Sequence, residues 1–238
     1  MSKTKQEVLD SLNKFLSGNL SSQIQQLYKQ GFINWIGKTI DTNELSTEIL
    51  AHALLKHSDD IESITKITRK GSYKVASHFP IKIKPTNRNE EHFAKRITGL
   101  KIDDLGDILD YQVPLNNKQD DHNGKIDLVS LNKERDTFHL IELKVYNKRK
   151  QETLLRAVLE IYTYYKTVDC SRLLQDYQVD DTIRIVPTVL VYESEKCNVY
   201  KELEDYGCLW KPSLVKSSFF SVGYRILFDK PWIKYLPA

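Results

Sequence analysis

A chain of 238 residues, 40% hydrophobic and 28% charged, is long enough to bury its own core and needs neither disulfides nor a structural metal to fold. A net charge of +3 is far from a histone-like tail, so nucleic acid is permitted by composition without being indicated by it. The three cysteines (Cys170, Cys197, Cys208) form no Cys-x-x-Cys pair, the first residues lack a signal-peptide core, and no apolar run approaches the roughly 20 residues a bilayer requires, so a cytoplasmic protein with no membrane partner is expected.

In chain order, Val8, Leu9, Leu12, Phe15 and Leu16 recur at helical spacing, as do Leu45, Ile49, Ala53 and Leu54, and the first 70 residues are predicted to be helical. Gly31 and Gly37 punctuate a short aromatic stretch, GFINWIG. The segment RKGSYKVASHFPIKIKPTNRN, with Gly71, Pro80 and Pro85, is predicted to be a loop or an extended arm. The expected division is a helical N-terminal extension over 1–85 and a core over 86–238.

Beyond it the pattern changes. NEEHFAKRITGL is predicted to be a helix with Phe93, Ile97 and Leu100 on one face, and ILDYQVPL, KIDLVSL and FHLIELKVY are predicted strands. QETLLRAVLEIYTYYKTV is a strong helix, with Leu154, Val158, Ile161 and Tyr165 in phase. IRIVPTVLVYE is a strand whose Pro187 favours an edge or a bulge, EKCNVYKELEDYG a helix ended by Gly207, and KSSFFSVGYRILF a closing strand. Helix, three strands, helix, strand describes an α/β fold with a mixed sheet. No internal repeat or low-complexity tract interrupts it.

Three charges stand out because they lie within apolar strands: Asp127 in KIDLV, and Glu142 and Lys144 in LIELKV. Buried charges are costly unless paired or metal-bound. Side chains alternate along a strand, so Glu142 and Lys144 share a face, about 6.6–6.8 Å apart, while Ile141, Leu143 and Val145 take the other. A hairpin turning within 132–137 sets Asp127 directly opposite Glu142, gathering all three on one face. Opposed carboxylates repel, and a divalent cation between them removes that cost. Magnesium takes one or two carboxylates, with water and substrate phosphate completing its shell, and stabilises charge building on phosphate. A neighbouring lysine can orient or deprotonate the attacking water, or neutralise the transition state. The set suits phosphodiester cleavage. The bland alternative is a surface salt bridge on a half-exposed hairpin, contributing roughly 0–1 kcal/mol.

GKIDLV, followed 15 positions after its Asp by Glu-Leu-Lys, resembles the active-site hairpin of the PD-(D/E)XK nuclease superfamily, with Ile126 where the name has proline. The resemblance spans roughly 85–230, with its specific part at 124–164, and implies a restriction-endonuclease-like core. It further implies that Asp127 and Glu142 bind Mg²⁺ or Mn²⁺, that the Leu143 backbone carbonyl assists, and that Lys144 is catalytic. The family's first core helix commonly supplies a third acid, here Glu90 or Glu91. Glu90 shares the inward face of Phe93 and Ile97, whereas Glu91 aligns with Lys95 and Thr98 on a solvent-like face. Asn87 with Glu90 three residues on also reads as a capping pair. RecB-like members carry Gln-x-x-x-Tyr on the helix after the hairpin, and Glu160 and Tyr164 hold that spacing here. Glutamate in place of glutamine either adds negative charge near the metal or pairs with Arg156.

The basic run Lys148, Arg149 and Lys150 is either a phosphate contact or a solvated turn, and the string Lys82, Lys84 and Arg88 an arm or a plain linker. No histidine metal pattern, phosphate loop, Gly-x-Gly-x-x-Gly turn or Gly-x-Ser-x-Gly elbow is present. The expectation is a magnesium-dependent nuclease acting on nucleic acid, DNA foremost. The alternative is a catalytically silent nuclease-fold module that binds nucleic acid or a protein. The N-terminal extension is the expected surface for a protein partner or a second copy of the chain.

Overall fold

The computed structural model describes residues 3–18, 24–83, 89–116, 124–148, 151–192 and 194–206. The predicted strand over 216–228, the helix stop at Gly207, the cap at Asn87, Pro85, Lys84, Arg88, Arg149, Lys150 and Cys208 lie outside the described residues.

Helix α1 (Lys5–Leu16) begins at Thr4, whose hydroxyl and the Glu7 carboxylate satisfy each other's backbone amides, and it buries Val8, Leu12 and Leu16. Helix α2 (Ser46–Leu55) buries Ile49, Leu50 and Leu54. A short α3 (Ser58–Glu62) follows, and two 3₁₀ segments, Ile24–Lys29 and Gly31–Asn34, hold the aromatic stretch between α1 and α2. The stretch from Arg69 is a loop, but not a free arm. Tyr73 is fully buried, its amide donating to Asp176 and its hydroxyl accepting from the Asp169 amide.

Helix α4 (Asn89–Ile97) precedes strands β1 (Lys101–Ile102), β2 (Gly106–Pro114), β3 (Lys125–Asn132) and β4 (Thr137–Lys144). Then come α5 (Leu154–Thr167), α6 (Cys170–Asp176), β5 (Arg184–Val191) and α7 (Asn198–Tyr206). The sheet runs β1-β2-β3-β4-β5, antiparallel as far as β4, with β5 parallel to β4. A parallel join needs a crossover, and α5 and α6 supply it. Helix, strands, helix, strand is therefore present in the predicted order, with Pro187 on the outermost described strand. The protein is a mixed α/β fold. One expectation fails at α4: Leu100 does not join the apolar face but is 53% exposed, because Gly99 adopts φ +87° and ends the helix before it.

The two faces of the sheet are buried differently. On one, Ala94 and Ile97 of α4 meet Leu128, Ile141, Leu143 and Leu190. On the other, Leu155, Val158 and Tyr162 of α5 meet Val129, Phe138, Leu140 and Val189, and Val8, Leu12, Leu50 and Leu54 join the same cluster. Residues before 85 thus share one hydrophobic core with the sheet. None of the helices among the described residues is long and apolar enough to cross a membrane.

Candidate active site

The β3–β4 hairpin turns through a 3₁₀ segment, Lys133–Arg135, where the Asn132 side chain accepts from the Glu134 amide and Asp136 takes the left-handed conformation. That turn fixes the register, pairing Leu128 with Ile141 and Val129 with Leu140. The paired ladder ends at Leu128 and Ile141; carried one residue further, its register sets Asp127 across from Glu142, and the two charges act on each other. All eight β4 residues are buried, which removes the half-exposed-hairpin alternative. Asp127, Glu142 and Lys144 are 8%, 4% and 4% exposed.

Each charge has defined partners. Asp127 accepts from Gln112 Nε2 at 2.6 Å and from the Leu143 amide at 2.9 Å. Gln112 belongs to β2, where the ladder to β3 shifts register between Ile108 and Asp110, and its φ is +47°. The contact recorded between Leu143 and the site is thus made by its N–H. Lys144 Nζ donates to Glu142 Oε1 at 2.6 Å and to Glu152 Oε2 at 2.5 Å, and lies 3.6 Å from Glu160 Oε2. Arg156 Nε lies 3.0 Å from Glu152 Oε1. Tyr164 donates to Glu160 at 3.0 Å, and its hydroxyl meets that of Tyr28 at 3.4 Å. A polar chain thus runs from the N-terminal segment through α5 to β4.

Glu90 lines a small cleft with Lys144, Gln151, Glu152 and Cys197, and its charge acts on both Asp127 and Lys144. The cleft has about 20 Å³ of space, room for one water-sized body. Glu91 instead pairs with Lys95 at 2.7 Å. Lys148 is exposed on the segment after β4.

Burial raises the Asp127 carboxyl to about 7, against relief from Lys144 and the Leu143 amide. Burial first, then Asp127 and Glu160, lifts Glu142 well above the usual carboxylate range. Burial alone would depress the Lys144 ammonium, but Glu142, Glu160 and Glu152 outweigh it and hold the group well above an ordinary lysine. Lys144 here is a cation.

Glu152, Gln112 and Tyr28 escape the sequence reading. Glu152 carried a signal: with Arg156, Glu160 and Tyr164 it forms an i, i+4, i+8, i+12 stripe, the spacing that puts side chains on one helix face. Gln112 and Tyr28 carried none, since one depends on how β2 pairs with β3 and the other on a contact 136 residues distant. Arg156 goes to Glu152, and Glu160 to Lys144 and Tyr164, so of the two roles open to Glu160 the structure places it with the hairpin charges.

Among the described residues, no three His, Cys, Asp or Glu side chains are arranged to hold a metal ion. The opposed pair Asp127 and Glu142 nonetheless fits magnesium in kind, since that ion needs only one or two carboxylates and completes its shell with water and phosphate. Compared with family models, curated proteins and solved structures, the chain matches none.

Proposed function

We propose that the protein is a metal-dependent nuclease with a restriction-endonuclease-like core of the PD-(D/E)XK kind, hydrolysing phosphodiester bonds of nucleic acid, DNA foremost. The observation that carries the reading is the burial of Asp127, Glu142 and Lys144 together on one hairpin, where Lys144 bonds Glu142 and the Asp127 charge acts on Glu142. Asp127 and Glu142 would hold Mg²⁺ or Mn²⁺, with the Leu143 carbonyl and Glu90 as further oxygen donors. When bound, the metal supplies Lewis-acid stabilisation of phosphate charge and a more acidic water.

The remaining work falls to the chain's own residues. Gln112 and the Leu143 amide fix the Asp127 carboxylate. Lys144, held cationic, neutralises charge developing on the phosphate rather than serving as the base. Tyr164 orients Glu160, which keeps a second carboxylate beside the lysine. Lys148, Arg149 and Lys150 follow the catalytic strand and are placed in sequence to meet flanking phosphates.

A second reading has its own observation. The ammonium already satisfies Glu142 and Glu152, and the cleft admits only a water-sized body. A module whose buried charges neutralise each other would keep the fold to bind nucleic acid or a protein without cutting. Incubating mixed DNA and RNA substrates with Mg²⁺ or Mn²⁺ separates the two, with Asp127→Ala and Lys144→Ala beside the wild type. Metal-dependent cleavage lost in both variants supports the nuclease. Cleavage that survives Lys144→Ala refutes the assigned roles, and nucleic-acid binding without cleavage by the wild type supports the silent module.

A further inference from the structure

Glu142 and Glu152 share one ammonium but are anchored very differently. Lys144 Nζ is the donor recorded for the Glu142 carboxylate. Glu152 is fixed on several sides: its carbonyl accepts from Asn198 Nδ2 at 2.9 Å, its other carboxylate oxygen meets Arg156 at 3.0 Å, and its chain neighbours are clamped by one side chain. Asn34 donates to the Gln151 carbonyl at 2.8 Å and accepts from the Thr153 amide at 2.9 Å. Thr153 in turn caps α5 and donates to the Ile33 carbonyl at 2.9 Å. Glu142 lies near the end of β4, where its charge and that of Asp127 act on each other and a divalent ion would need it, whereas Glu152 reaches the ammonium from the segment that leads into α5.

We infer that Glu152 is a positioning residue for Lys144: it is the fixed acceptor that retains the ammonium when Glu142 releases it to ligate a divalent cation. The inference rests on the metal-binding reading of Asp127 and Glu142. A cation that draws on both Glu142 oxygens competes for the one that receives an N–H bond at 2.6 Å from Lys144, because the ammonium and the cation repel across it. Without another acceptor, releasing that ammonium would strand a buried charge, at a cost comparable to breaking a buried ion pair. Glu152 removes the cost, because its bond to the same nitrogen already exists at 2.5 Å and its backbone and Arg156 keep it from following Glu142. The lysine is then left beside the cation and aimed along the cleft that Glu90 and Glu152 line.

The alternatives are that Glu152 ligates the cation itself, that it contributes only general negative charge, or that it merely supports the fold. Direct Mn²⁺ binding to the full chain, without nucleic acid, distinguishes them. Glu152→Gln should weaken Mn²⁺ about 10–100-fold, the usual scale for a group that orients a ligand from behind. Glu152→Asp, which keeps the charge but shortens the reach toward Lys144, should weaken it similarly. In a Lys144→Met background, Glu152→Gln should change Mn²⁺ affinity less than threefold, because the residue it acts through is gone (roughly 0.6 kcal/mol).

Wild-type affinity in Glu152→Asp, or a full-size loss from Glu152→Gln in the Lys144→Met background, overturns the inference in favour of a charge or ligand role. Should Lys144→Met not fold, Lys144→Gln serves as the background in its place, with the same two outcomes. Wild-type protein that binds no Mn²⁺ at all overturns the metal reading and this inference together. That outcome is separate from a wild type that binds while Glu152→Gln binds equally well, which overturns this inference only.

Discussion

Replacing Asp127 by asparagine should make the metal-free protein more stable at neutral pH, although the residue is placed at the centre of the site. Burial lifts its carboxyl from an ordinary 3.8 to about 7, which corresponds to about 4 kcal/mol between the two protonation states. The sign follows from proton counting. A folded state that holds its proton more tightly than the unfolded chain has its full stability below about pH 4 and loses it as pH rises through about 7. Asparagine is neutral throughout and escapes that loss. It can keep the Leu143 amide as donor through its oxygen, while Gln112 rotates its amide to accept from the new NH₂, so neither recorded bond need be lost. Allowing for relaxation around the charge, a net gain of about 2–4 kcal/mol is expected at about pH 8, or roughly 5–15 °C in melting temperature. The assay is thermal and urea unfolding of both proteins in chelator, across about pH 4–8, where the two curves should converge at the acid end. Asp127→Asn melting at or below the wild type at about pH 8 would refute the argument that the ionised carboxylate is held there at a cost.

Three further outcomes are expected. Mg²⁺ or Mn²⁺ should raise the wild-type melting temperature, by about 2.7 kcal/mol of stabilisation at a hundredfold excess over Kd, and more strongly at higher pH because Asp127 and Glu142 must lose their protons; calorimetric titration at two pH values checks it. Lys144→Met should destabilise the metal-free protein by about 3–5 kcal/mol at neutral pH, leaving buried carboxylates without their ammonium, and a divalent ion should recover part of the loss in urea unfolding. Gly106→Ala should cost about 3 kcal/mol or more by the same method: its Cβ would fall 2.0 Å from the Leu131 carbonyl oxygen, on backbone that cannot swing away, at φ +75°.

The opposition of Asp127 to Glu142 was legible because it needs only strand alternation and a turn placed between two apolar runs, both local properties. Inward placement of Glu90, the solvent-side pairing of Glu91 and the strand and helix order were readable for the same reason. The partners that set the charges were not. Gln112 reaches Asp127 across the β2–β3 ladder, between the pairs Tyr111–Leu128 and Val113–Ile126, and no periodicity within β2 announces which residue of β3 it faces. Arg156 had two acids at helical spacing, Glu152 and Glu160, and only the position of Lys144 in space decides which it takes. Leu100 looked in phase with Phe93 and Ile97, but a glycine in the left-handed region ends the helix first. Conformational punctuation overrode hydrophobic phase there.

The Asn34 clamp has a consequence for how the protein is made. The bonds joining residues 33–34 to 151–153 span separations of 117 to 120 positions, and the Tyr28–Tyr164 contact spans 136. Contacts so far apart form late, because a long loop must close before they return any free energy. During synthesis the early segment must therefore wait, with Ile33 and Tyr28 still wet, until more than half of the chain has left the ribosome. Only when it docks does the turn carrying Glu152 acquire its shape. Until that moment Lys144 lacks the anchored acceptor that Glu152 supplies, so a nascent or partly folded chain would carry the hairpin charges without the carboxylate that holds their lysine.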